Sequence, residues 1–217
     1  MFKLGKRWGI PGTEINPLEG VKLPLCNNEI ERFLTVEETK HLQKAVEASA
    51  NPQLKYIVAL LLLTGCRKRE LLDAKWEDFQ LHQRSWRIPM TKSGKARYVP
   101  LSKAALDVLA QVPRFPGCPY VVPNPDTLKP FVSIYHSWNY ARRQAGLTDV
   151  RLHDLRHSMA SNLVNSGKSL YVVAKVLGHA QERTARRYAH LSNETLLDAV
   201  DGAAAVMGAD WAGQAAA

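Results

Sequence analysis

The sequence is poor in cysteine. Its three, Cys26, Cys66 and Cys118, are odd in number and stand in no CxxC spacing. That argues against a disulfide framework and against a cysteine-built zinc site, and makes a reducing cytoplasm the expected compartment. Long apolar runs are also missing. The longest, YIVALLLL from Tyr56 to Leu63, has eight residues, where a bilayer needs about 20. A buried helix is expected there, not a membrane span. Lys3, Lys6 and Arg7 lead into no apolar stretch, so no secretory signal is expected. Acidic residues are the third shortfall: 20 Asp and Glu face 29 Lys and Arg across 217 residues, a net charge of +9 at pH 7. The excess suits a polyanionic partner, nucleic acid before anionic membrane. Composition alone leaves that level with a merely soluble basic protein.

Turn signals and periodicity divide the chain. Residues 1–30 are rich in Gly, Pro and Asn (WGIPGTEINPLEGVKLPLCNN) and hold no sustained period, so they read as a linker or the tail of something upstream. TVEE at Thr35 is a capping box with Glu38 at its fourth position, opening a helix to about Ser49. Pro52 in a first-turn position starts a second, apolar helix that stops at Thr64-Gly65. Arg67 then falls just past a buried helix, at the start of a short one in RKRELLDA. Between Trp76 and Pro100 the character changes. Strand-like pieces at about 78–82, 85–89 and 96–100 are separated by HQRS and by the glycine-containing TKSGK. Beyond Ser102 the pattern is helical again, at about 103–111, 133–145, 153–166, 170–177, 181–190 and 194–205. Gly146, Gly167 and Gly178 stand where C-terminal caps belong. The expected class is α+β, mainly α-helical, with one small antiparallel β-sheet. The final GAAAVMGADWAGQAAA reads as a frayed tail or as an arm that docks on a neighbour.

RLHDLRHSMASNLVNSG, Arg151 to Gly167, is the stretch densest in chemistry. His153 and His157 share one helix face, as the histidines of several zinc enzymes do. Such an enzyme carries glutamate directly after the first histidine. Here that residue is Asp154, one methylene shorter, and Arg156 would set a permanent cation beside the metal. The other use of the face is a cationic grip on a phosphate, with Arg67, Lys92, His179 and Tyr188 as further polar candidates from other elements.

Five blocks carry these candidates: TGCRKRELL, TKSGKARYVPL, HDLRHSMAS, VLGH and TARRYAHL. Their order and spacing resemble the catalytic domain of the tyrosine recombinases, the phage integrase family, from about Arg32 to Leu191. The resemblance implies the end of a DNA-clamping domain or its linker in residues 1–30, a catalytic domain over 31–191, and a protomer-docking helix and tail over 192–217. It implies that Arg67 and Arg156 hold the non-bridging oxygens of the scissile phosphate, as forks that stay charged at any working pH. Tyr188 would be the nucleophile, forming a 3′-phosphotyrosyl link and a free 5′-hydroxyl, so that religation needs no ATP. Lys92 corresponds to the lysine that protonates the leaving 5′-oxygen, with Lys95 three residues on as a competitor. His153 corresponds to an acid/base partner and His179 to a donor to the phosphate. Glu70 matches the acidic position that orients its neighbours, and His157 a packing or supporting role. Arg69 stands where the family often has a small residue.

Site-specific DNA recombination is thus implied, for integration or excision, on double-stranded DNA. A homotetramer on two DNA sites is implied, with a monomer expected alone. The resemblance implies no metal, no cofactor, no membrane and no small-molecule substrate. Two rivals stay open. One is a catalytically inactive DNA-binding module, which the positive charge would serve equally well. The other is a type IB topoisomerase or resolvase-like enzyme working with a similar set of residues.

Overall fold

The computed structural model describes residues 2–21, 32–89 and 96–178. The chain divides into two compact units, one ending at Glu31 and the other beginning at Arg32. The first holds a six-residue helix, α1 (Phe2–Arg7), where the sequence suggested only irregular chain. Lys6 and Arg7 in its last turn suit the negative end of the helix dipole.

In the second unit, Thr35 Oγ1 accepts from Glu38 N at 3.1 Å, and the Glu38 carboxylate accepts from Thr35 N at 2.9 Å. This is the expected capping box, and it opens α2 (Val36–Glu47). Helix α3 (Leu54–Thr64) starts later than Pro52 suggested. Asn51 Oδ1 accepts the Gln53 N–H at 3.1 Å, an Asx turn that holds the chain out of the helix through Pro52. Apolar along its length apart from the exposed Lys55 and the terminal Thr64, α3 forms the middle of the core: Leu54, Ile57, Leu60 and Leu61 are all buried. Around it pack α2, α4 (Lys68–Leu72), α5 (Lys103–Gln111) and α7 (Asp154–Asn165).

A three-stranded antiparallel sheet runs β1 (Phe79–Gln80), β2 (Ser85–Ile88), β3 (Arg97–Pro100) in that order. Phe79 lies opposite Trp86, and Ile88 opposite Arg97. The first strand is shorter than the 78–82 expected. Because Gln80 pairs with Ser85, residues 81–84 are consumed by the turn, a 3-10 turn at Leu81–Gln83 closed by Arg84 in the left-handed region at φ 50°. Phe79 stacks on Trp86 with centroids 4.9 Å apart and fixes the sheet to the core.

Helices α5, α6 (Tyr135–Gln144), α7 and α8 (Leu170–Leu177) occupy the expected stretches, and Gly146, Gly167 and Gly178 take φ values of 75°, 77° and 68° as left-handed caps. A small second core of Ala160, Val164, Val173 and Leu177 joins α7 to α8. The helices expected at 181–190 and 194–205 lie outside the described residues. Among the described residues, no helix is long and apolar enough to cross a membrane.

Candidate active site

Three chain segments meet at the C-terminal end of α3. The first is the turn from Thr64 to Arg67. Gly65 reverses the chain at φ 61°, and a Cβ there would stand 2.5 Å from Leu177 Cδ2. Thr64 donates its hydroxyl to Leu60 O at 2.6 Å and accepts Cys66 N at 3.3 Å. Arg67 is thereby set as the N-cap residue of α4. Glu70, three residues on, accepts Arg67 N on Oε2 at 2.7 Å and Arg67 Nη1 on Oε1 at 2.8 Å. The carboxylate caps the helix and steers the guanidinium together. The Arg67 side chain remains 38% exposed, able to meet a ligand.

The second segment is the first turn of α7. Arg156 is 6% exposed, and it donates from Nη1 to Gly65 O at 2.5 Å and from Nη2 to Leu177 O at 2.9 Å. Both acceptors lie at helix C-terminal ends, where carbonyls carry partial negative charge and offset the burial of a cation. Burial, then the like charges of Arg67 and Arg97, lowers the Arg156 guanidinium to about 10. It stays protonated at neutral pH.

The third is β3. Arg97 donates from Nη2 to Glu70 Oε2 at 2.8 Å and from Nη1 to Val176 O at 3.3 Å. Sequence reasoning missed this residue. A signal existed: strand alternation puts Arg97 on the same face as the fully buried Val99, where a cation needs a partner. Burial pushes the Glu70 carboxyl up, but hydrogen bonds from Arg97 and from the Arg67 backbone N–H outweigh it and hold Glu70 below its ordinary 4.5. One ionised carboxylate set among Arg67, Arg97 and Arg156 leaves the site net positive, which suits an anion.

His153 is exposed at the N-cap of α7, and its ring meets that of buried His157 edge to face at 4.9 Å. Asp154, next to His153 in the chain, is fully buried and accepts from Arg151 N and from the Arg151 guanidinium, each at 2.7 Å. A cleft of about 210 Å³ is lined by Leu61, Cys66, Lys68, Leu152, His153 and Arg156. Burial pushes the Cys66 thiol up to about 12, so it is neutral at pH 7 and no nucleophile. Lys68, the first residue of α4, is a second cation that sequence reasoning passed over. Arg69, the departure from the family pattern, is engaged by Asp73 and by Phe131 O at 2.8 Å, and Arg67 keeps its capped turn beside it.

Of the expected set, Arg67 and Glu70 are joined directly. Arg156 is tied to the turn that carries them, and His153 shares its cleft, with His157 packed behind. Lys92 and its competitor Lys95, together with His179 and Tyr188, lie outside the described residues.

The model of the phage integrase family matches residues 32–195. A tyrosine recombinase XerC of Staphylococcus carnosus is 30% identical over 196 residues, covering 85% of this chain and 65% of that protein. A shufflon-specific DNA recombinase of Escherichia coli is 30% identical over 204 residues, covering 93% of this chain and 50% of that protein. The chain therefore spans between half and two-thirds of the length of these relatives. Among solved structures, the catalytic domain of bacteriophage HP1 integrase superposes with a TM-score of 0.62 at 28% identity, over 78% of this chain and 93% of that domain. A helical domain with a small sheet, carrying these motifs in this order, has a place among known folds: the chain belongs to the phage integrase family, the tyrosine recombinases.

Proposed function

We propose that residues 31–191 form the catalytic domain of a site-specific recombinase that cuts and rejoins double-stranded DNA. The observation that carries the reading is the net positive cluster in which Arg67 and Arg156, from separate elements, are fixed by one carboxylate and by two helix ends. Such forks suit the two non-bridging oxygens of a phosphodiester, and each is worth about 3 kcal/mol at the transition state, as for other fixed oxyanion contacts. Tyr188 oxygen attacks the phosphorus. The bond to the 5′-oxygen breaks, and Lys92 supplies the proton that oxygen takes up. A 3′-phosphotyrosyl ester remains, and the reverse attack by a 5′-hydroxyl rejoins the strand without ATP. His153 takes the tyrosine proton as general base, and His179 donates to the phosphate. Permanent guanidinium charge does the electrostatic work that magnesium does in kinases. The working assembly is a homotetramer on two DNA sites.

The test is a pool of nicked duplexes with randomised cores, incubated with the chain in the presence of a chelator. A covalent protein–DNA adduct that is lost in Tyr188→Phe is the expected result. An adduct that survives this substitution, or one that forms only with added zinc, overturns the reading. Gel shifts at saturating protein with no adduct would make the chain a DNA-binding module without catalysis.

A further inference from the structure

Arg97 belongs to none of the roles described above. We propose that it is a positioning residue of this site, holding Glu70, and through Glu70 the guanidinium of Arg67, in the orientation that receives the phosphate. The inference rests on the recombinase reading.

Its side chain is only 12% exposed, so it is no surface cation waiting for DNA. Its two terminal nitrogens go to different elements, Nη2 to Glu70 on α4 and Nη1 to Val176 O on α8. Glu70 Oε2 is shared between Arg97 Nη2 and Arg67 N, while Oε1 holds Arg67 Nη1. Remove Arg97, and Oε2 keeps a single backbone donor while the carboxylate gains torsional freedom. The Arg67 guanidinium, which leans on the other oxygen, is then free to turn with it.

The placement of Arg97 is tight. A Cβ on Gly178 would stand 2.5 Å from Arg97 Cδ, 2.8 Å from Nε and 2.9 Å from Cζ, so the Arg97 side chain occupies the space that a side chain at that cap would need. Its Nε is buried with no hydrogen-bond partner among the described residues. The fork is therefore engaged only through its two terminal nitrogens, one on Glu70 and one on Val176 O. Lysine would bring a single point of charge to a place that uses a planar fork.

The experiment measures single-turnover adduct formation on the nicked duplex pool for Arg97→Gln and Arg97→Lys. Each is made in the wild-type and in the Arg67→Lys background, with duplex affinity and urea unfolding followed alongside. Arg97→Gln is expected to slow adduct formation about ten- to a hundredfold at saturating DNA, the scale on which misplaced catalytic groups lose rate. Affinity should stay within about twofold, because a buried side chain makes no phosphate contact to lose. Arg97→Lys should recover part of the rate. In the Arg67→Lys background, Arg97→Gln should cost little more, since Arg97 acts through Arg67. Equal losses in both backgrounds, or a loss that tracks the unfolded fraction, overturn the proposal and make Arg97 a structural strap. Where Arg97→Gln does not fold, Arg97→Lys carries the same comparison. If the wild-type chain forms no adduct, the recombinase reading fails and this inference with it; an adduct formed as fast by Arg97→Gln as by wild type overturns the Arg97 role alone.

Discussion

Glu70 takes three hydrogen bonds from two arginines on different elements, and its side chain is 9% exposed. An ionised carboxylate here neutralises part of the repulsion between Arg67 and two guanidiniums, Arg97 and Arg156, that have little water to screen them. Its folded-state carboxyl titrates below the ordinary 4.5. The stabilisation is therefore present above that pH and is lost as pH falls through the folded-state value. Glu70→Gln should lower stability at pH 7 by about 2 kcal/mol, measured by urea unfolding. The gap to wild type should close on acidification, because the wild-type carboxylate is then protonated too; a gap that is constant with pH would assign the loss to packing. That Arg67, Arg156 and Glu70 belong together was legible in the sequence because each sits in a short run whose residue types and spacing match one family pattern, and the structure brings the three to one place. Arg97 was not. Alternation in β3 hints at the face it occupies, but what lies across from it, Glu70 of α4, is displayed by no four-residue strand.

At the scale of elements, caps were the most readable features and turns the least. Thr35 with Glu38 marked the start of α2, and the glycines after α6, α7 and α8 marked their ends, because capping is local chemistry between residues close in sequence. The Asx turn at Asn51 and the tight turn after Gln80 moved boundaries by a few residues, since each depends on a competition between side chain and backbone that periodicity does not register. The glycine caps also differ in a way that sequence hides. Gly146 and Gly178 have similar positive φ, yet nothing lies within 4 Å of a Cβ built at Gly146, while one at Gly178 collides with Arg97. Gly146→Ala should cost about 1 kcal/mol, the price of backbone strain alone. Gly178→Ala should cost about 2–3 kcal/mol by the same unfolding measurement, because it adds overpacking to that strain. Equal losses at the two caps would mean that the Arg97 side chain moves aside freely.

For the whole molecule, the net charge of +9 is the term that decides how it meets a polyanion. The logarithm of the affinity for duplex DNA should fall linearly with log salt, with a slope of about −5 if about five or six phosphates are neutralised. Fluorescence anisotropy with a labelled duplex between 50 and 200 mM salt, a range of conditions chosen about physiological strength, checks this, and a slope near zero would remove DNA as the partner.

The hydrogen bond from Arg156 to Gly65 O has one more consequence, for how mutational data on this chain are to be read. It staples the start of α7 to the turn that presents Arg67. Substituting Arg156 therefore also loosens Arg67, and a rate measured for the single variant charges both losses to one residue. Epistasis between the two arginines is built into the backbone here, and only the double variant can apportion what each contributes.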